Sequence, residues 1–270
     1  MSKPLEHVVV GISISGGDDL ARYALTPADV NRVTIELCRR LIGLGAQVML
    51  GHKWTPGGLM QAVTRFAQAY QVPTTEPLVH NYLAWPDRAS LSAAERTALQ
   101  TLVNIVEVPG GRHGDETNDR VKALTRMREQ MTAANHARLF LAGGWTPKRD
   151  RAVAGVVEEA VLSAEAGKAM YLSGMMGGAA ANLIHVIRGG ETPPLLNGAE
   201  PSRIHLDYIK SLRKFSVDRL AAQSGLSVSD FNALFDSHNL DTIVQLATRG
   251  MRALADDGRL RPRRRKKTKK

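Results

Sequence analysis

The residues with the clearest chemical potential lie between positions 143 and 168. Gly143-Gly144-Trp145-Thr146-Pro147-Lys148-Arg149-Asp150-Arg151 leads from an apolar run into a helix-forming segment that carries adjacent carboxylates, Glu158 and Glu159. A glycine pair lets backbone approach a ligand closely. Arg149, Arg151 and Lys168 could neutralise phosphate, since arginine suits bidentate contact and lysine acts as a point charge. A glutamate in the first turn of a helix can merely complement the helix dipole. It can also face a ligand and bind ribose hydroxyls, as acidic side chains do in nucleotide sites. Singly, each of these residues reads as solvated surface; their grouping points to a phosphate-bearing ligand.

Positioning such groups takes a scaffold, and the apolar pattern supplies one. His7 to Ser15 contains a continuous Val/Ile run, which is what a strand covered on both faces requires. Thr26-Pro27 is a capping hydroxyl followed by proline at a first helical position, and Gly43 and Gly45 end that helix before a strand at 47–50. Gly57-Gly58 opens a helix over 59–70, and a less regular strand follows over 77–84. Ser92 with Glu95 forms a capping-box pattern. Further strands are predicted at 103–108, 138–142 and 169–173, with helices at 117–135, 152–166 and 179–188. This alternation predicts an α/β fold, Rossmann-like and doubly wound, with a mostly parallel sheet and helices on both faces. A Pro/Gly-rich link over 191–201 ends the pattern. Beyond it, three or four short helices within 202–256 read as a C-terminal helical extension packed on the same core.

In such a sheet, ligands bind beyond the carboxyl ends of the strands. Glycines cluster at those places: Gly16-Gly17, Gly51 with Gly57-Gly58, Gly110-Gly111, Gly143-Gly144, and Gly174 with Gly177-Gly178. Each precedes a helix whose exposed N–H groups favour an anion. Gly11 to Gly17 is not a G-x-G-x-x-G fingerprint, and there is no Gly-Lys-Ser/Thr of a P-loop, so ordinary dehydrogenase and ATPase readings are weakened.

Composition narrows the classes further. The chain has 270 residues, 43% of them hydrophobic, which is enough for a sizeable core. No run is long and apolar enough for a membrane helix, and no signal-peptide h-region precedes the first strand. A single cysteine, Cys38, excludes an intramolecular disulfide framework. A reduced, cytoplasmic protein is expected. The net charge of +10 is a tail property: Arg259 to Lys270 holds nine of 36 cationic side chains and no acid, leaving 27 positive against 26 negative charges. That tail, 259–270, reads as disordered, and is either solubilising or a weak contact for nucleic acid.

Other candidates have plainer readings. His113 lies in a polar loop and reads as solvated, whereas His52 follows the second strand and could equally contact a ligand or serve structure. No spacing suggests a metal site. Ser13 and Ser15 lack a nucleophile elbow. Leu220 to Asp230 imitates a helix-turn-helix phrase, but the acidic, aromatic continuation Asp230 to Asp236 favours a packing element. Trp54 and Trp145 could stack on an adenine or cover the sheet edge.

Taken together, Gly11 to Leu20, Leu50-Gly51-His52 with Gly57-Gly58-Leu59, Gly155 to Ala160 with Gly167-Lys168, and Ser173 to Ala180 resemble the SLOG superfamily. That superfamily includes Smf/DprA proteins and lysine decarboxylase-like, cytokinin-activating enzymes. The likeness is greatest to the sirtuin- and TIR-associated branch, as in Thoeris antiphage defence. The resemblance implies a nucleotide-binding domain over 1–190, a helical extension over 191–258, and no cofactor. The implied ligand is an NAD-derived nucleotide of the ADP-ribose type, such as a cyclic ADP-ribose isomer. It further implies ligand contacts from Ser15, Gly16, Gly17, Asp18, Gly51, His52, Gly57, Gly58, Gly143, Gly144, Arg151, Gly155, Glu159, Lys168, Gly174, Gly177 and Gly178. A homo-oligomer and a TIR-type enzyme or effector partner are expected. Nucleotide-cleaving relatives carry Gly-Gly-x-Gly-Thr-x-x-Glu. Here a basic loop interrupts that motif and Val156 replaces the threonine, so sensing is favoured over hydrolysis. Glu158 and Glu159 are the catalytic candidates if the chain is an N-glycoside hydrolase or transferase. Nucleic-acid binding is the remaining alternative.

Overall fold

The computed structural model describes residues 3–17, 20–70, 76–85, 87–110, 116–148, 151–196 and 198–260. Asp18, Gly111, His113, Arg149 and the tail beyond Leu260 lie outside the described residues.

Six strands form one parallel sheet: β1 (Val9–Ser13), β2 (Gln47–Leu50), β3 (Val79–Ala84), β4 (Val103–Val108), β5 (Ala137–Phe140) and β6 (Ala169–Leu172). Their spatial order is β4-β3-β2-β1-β5-β6. The chain therefore winds outward from β1 to β4, then crosses back to the other side of β1 for β5. That reversal places the topological switch point between β1 and β5. The fold is the predicted α/β, Rossmann-like arrangement.

Helices α1 (Pro27–Gly43), α2 (Leu59–Gln68) and α3 (Ala93–Leu99) connect the outward half; α4 (Glu116–Ala134) makes the return, and α5 (Gly155–Glu165) and α6 (Gly178–Ile187) follow. Strand alternation shows both faces are covered. Val48 and Leu50 join the large core with α1 and α2, whereas Met49 packs with Leu124, Met127 and Met131 of α4. The expected caps form: Thr26 and Asp29 cap α1 reciprocally, as do Ser92 and Glu95 at α3. Helix α5 begins at Gly155 rather than near 152, because Ala154 is still extended, with φ −68° and ψ 136°.

Four more helices follow: α7 (Arg203–Leu212), α8 (Val217–Gln223), α9 (Val228–Asp236) and α10 (Leu240–Asp256). The last is 17 residues long, so only three of the four match the expected short helices. The helix-turn-helix-like phrase falls on α8 and α9, whose Leu220, Phe231, Leu234 and Phe235 are buried in the core shared with the sheet.

Two glycines at the carboxyl edge are demanded by packing alone. Gly178 opens α6 at φ +64°, and a Cβ there would collide with the carbonyl oxygen of Gly143, which accepts from the Ala179 amide at 2.7 Å. Gly177, at φ +65°, lies under the Tyr23 ring. Because the neighbour of Gly178 is backbone, a clash there cannot relax cheaply. Gly178→Ala is expected to cost about 2–4 kcal/mol of stability, from left-handed strain plus overpacking. A urea titration checks this, and an unchanged midpoint would refute it.

Candidate functional site

Because every strand is parallel, the loops after β1, β2 and β5 converge beyond the same edge. There they enclose a cavity of about 330 Å³ at the switch point. Its described lining comprises Ile12 to Gly17, Gly51 to Lys53, Asp87, Arg120, Leu124, Met127 and Arg128 of α4, and Gly144, Thr146, Lys148, Arg151, Ala154 to Val156 and Glu159 around the start of α5.

The expected ligand contacts divide sharply. Ser15, Gly16, Gly17, Gly51, His52, Gly144, Arg151, Gly155 and Glu159 come together here. Gly57, Gly58, Gly143, Gly174, Gly177 and Gly178 do not line the cavity. Gly143, at φ +117°, makes room for the Val156 side chain, and Gly174 donates its amide to Phe235 O at 3.0 Å. Lys168 stands at the opposite, amino end of the sheet, where its Nζ donates to the carbonyl of Asn135 at 2.6 Å. The tryptophans serve structure: Trp54 Nε1 donates to Asn81 Oδ1 at 2.7 Å, and fully buried Trp145 donates to Pro193 O at 3.0 Å.

The two carboxylates have different environments. Glu158 is 1% exposed, paired with Arg128 and accepting from Thr125 Oγ1 at 2.7 Å. Glu159 borders the cavity. It accepts a hydrogen bond from Ser13 Oγ, and Arg138 Nη1 lies 3.0 Å from its Oε2. Arg138, on β5, is fully buried, and Ser13 Oγ also accepts from its Nη1 at 3.2 Å. Burial pulls the Arg138 guanidinium below its ordinary pKa, and Glu159 opposes that pull.

Glycines make this packing possible. A Cβ on Gly11, directly beside Arg138 in the β1–β5 ladder, would stand 3.3 Å from Arg138 Nε and 2.9 Å from Asn135 Nδ2. A Cβ on Gly155 would come within 2.6 Å of Arg128 Nη2. Gly155 thus lets a guanidinium cross the start of α5, where Ala154 offers no side-chain cap to the first amides.

Sequence reasoning missed Lys53, Arg120, Arg128 and Arg138. Arg120 and Arg128 sit on a helix read as polar-faced, where cations carry no special signal. Arg138 did carry one: a cation inside a strand that the fold buries on both faces must have a carboxylate partner.

A family model, SLOG cluster2, matches residues 4–223. The chain belongs to the SLOG cluster2 family. A search of the curated proteins gives no match. SLOG membership points to a nucleotide-related binding or glycosyl-handling function. The SLOG match runs through the sheet and on through α7 and α8, so the helices that brace the cavity loops fall inside it. Among the described residues no helix is long and apolar enough to cross a membrane, and no cluster of metal-ligating side chains occurs.

The loop bearing Gly144, Thr146 and Arg151 is held from behind. Ser202 Oγ donates to Ala152 O at 2.7 Å, Thr146 Oγ1 accepts from the Leu196 amide at 3.0 Å, and His205 meets the Trp145 ring edge-on at 5.1 Å. His205 is fully buried, and neither ring nitrogen has a partner among the described residues. Burial lowers its pKa from the ordinary 6.5, as it does for His52, His80 and His136. Above that value these rings are neutral whether the chain is folded or unfolded, and the stability is fully present. As pH falls below it the unfolded chain takes up protons first, so stability drops, by up to about 1.4 kcal/mol per pH unit for each group. Thermal melts should therefore hold steady above about pH 7 and decline below about 6.5. His205→Phe, which keeps an aromatic edge against Trp145, should make that decline shallower. A wild-type melting temperature unchanged down to about pH 5 would contradict the argument.

Proposed function

We propose that the switch-point cavity binds the phosphates and ribose of an NAD-derived nucleotide of the ADP-ribose type. On this reading the chain is a sensor in bacterial antiphage defence, and the bound nucleotide regulates a partner effector or the chain's own assembly. The observation that carries the proposal is the charge of the cavity. Its described lining holds five cations, Lys53, Arg120, Arg128, Lys148 and Arg151, against two carboxylates, Asp87 and Glu159. Cations thus outnumber carboxylates in that described lining, with Arg128 paired to Glu158. The start of α5, whose first amides no side chain caps, and the backbone of Gly16-Gly17 border the same space. On this reading Glu159, which borders the cavity, takes the ribose hydroxyls; Glu158, paired with Arg128, does not line it.

Titration calorimetry with ADP-ribose, cyclic ADP-ribose isomers and NAD tests the proposal. Binding of at least one is expected, weakened tenfold or more, about 1.4 kcal/mol, by Lys53→Ala and by Arg120→Ala. The loss should grow steeper at low salt, because the contacts are electrostatic. No heat from any of these nucleotides at millimolar concentration removes the proposal.

Glu159 also favours a second reading, N-glycoside cleavage, in which an oriented carboxylate stabilises an oxocarbenium-like ribosyl centre. Chromatography of NAD and nucleoside monophosphates after incubation separates the two readings. Base release that survives Glu158→Gln but not Glu159→Gln would establish cleavage, and bound but intact nucleotide would leave sensing.

A further inference from the structure

The two outer edges of the sheet are treated in opposite ways. At β6 the edge is closed by the chain itself. Ser224 Oγ accepts from the Met170 amide at 3.0 Å and donates to Met170 O at 2.8 Å. Gln223 Nε2 donates to Lys168 O at 2.6 Å, and the Gly174 amide donates to Phe235 O at 3.0 Å. The end of α8 and α9 thus bond outward backbone groups of Lys168, Met170 and Gly174, within and beside that strand.

At β4 nothing comparable occurs among the described residues. Val108 faces β3, since its carbonyl accepts from the Trp85 amide at 3.0 Å. Alternation then turns Asn104 and Val106 toward β3 as well, and leaves the N–H and C=O groups of Val103, Ile105 and Glu107 pointing away from the sheet. No described group bonds to them. The usual guards of a bare edge are missing too: Val103 to Val108 contains no lysine and no proline, and its register with β3 is unbroken by a bulge. Its single charge, Glu107, is neutralised within the chain by Arg96.

We propose that this edge is where a second copy of the chain docks, the two β4 strands pairing antiparallel about a two-fold axis at Ile105. The strand is self-complementary in that register. Ile105 faces Ile105 of the second copy, Val103 faces Glu107, and Asn104 faces Val106. The two Glu107 carboxylates then lie four positions apart, roughly 14 Å, beyond the screening length of about 8 Å. Other registers are worse. Centring on Glu107 sets two carboxylates face to face, and centring on Val106 brings Pro109, which has no N–H, opposite Val103. In the favoured register about six outward backbone groups of each copy find partners. On the α3 side, a groove of about 730 Å³ lined by Arg96, Thr97 and Gln100 leaves room for the second copy's side chains. The product is one continuous sheet with both cavities free, since none of their described lining residues belongs to β4. A two-fold contact between identical strands closes on itself and does not propagate into fibres.

Analytical ultracentrifugation of the full chain at tens of micromolar should give a mass near twice 29.4 kDa, or a higher even assembly. Ile105→Pro removes an outward N–H without touching the β3 ladder, and should halve that mass. Circular dichroism on the same sample establishes that the variant is folded. Hydrogen exchange of the wild type supplies a test that does not depend on any variant: peptides covering residues 103–107 should exchange slowly when concentrated and faster on dilution. A monomer at tens of micromolar, a folded Ile105→Pro that keeps the wild-type mass, or an assembly with no concentration-dependent protection at β4 would each overturn the proposal.

Discussion

Two arginines and two glutamates lie between the sheet and helices α4 and α5, and the rest of the site depends on how their charges cancel. Arg138 is fully buried, and its only described partners, Ser13 and Glu159, meet a single nitrogen, Nη1. Arg128 lies against Glu158 with Thr125 completing the carboxylate. Taking an unpaired charge to such a position costs several kcal/mol, and removing one partner of a buried pair costs roughly 3–5 kcal/mol. The four groups are therefore constrained to stay together, whatever else the cavity does. A consequence is directional. Glu158 is consumed by the pairing, whereas Glu159, held from behind by Arg138 and Ser13, keeps a position on the cavity wall. Hydrophobic side chains would fill the same volume without the cost of burying charge.

The glycines follow from the same constraint. Gly11 and Gly155 are small because guanidinium groups pass over them, and Gly51 because Met127 and Met131 of α4 approach it, Met127 Cε to 2.9 Å of where a Cβ would stand. Gly143 is small because the Val156 side chain packs against it, and Gly178 because the backbone of Gly143 does. Gly16, Gly17 and Gly144 are left on the cavity wall. Close packing of the scaffold thus accounts for most of the glycine row.

How much of this was legible in the sequence depended on how local each signal is. Val8 to Ile12, Gln47 to Leu50 and the reciprocal caps at Thr26 and Ser92 are written in adjacent residues, and the structure places their elements within a few positions of the reading. The edge on which glycine loops gather followed from parallel strands alone. Which loops share a cavity did not, because this depends on the reversal between β1 and β5, a non-local choice. Lys168 illustrates the gap: three residues from the close of α5 it reads as a neighbour of the site, yet a whole strand separates it from that edge. Arg138 illustrates the opposite failure, a local signal present in the β5 run but left unread.

The C-terminal helices act on both the edge and the cavity. Helices α8 and α9 close the outer edge of β6, while the segment from Pro193 through His205 clamps the loop between β5 and α5 through Trp145, Thr146 and Ala152. That loop carries Gly144, Lys148 and Arg151 to the cavity. A long loop joining a strand to a helix samples many conformations unless something else fixes it. Here the fixing contacts, from Pro193, Leu196, Ser202 and His205, lie outside the sheet's own winding, so this part of the cavity wall is held by residues that do not line it.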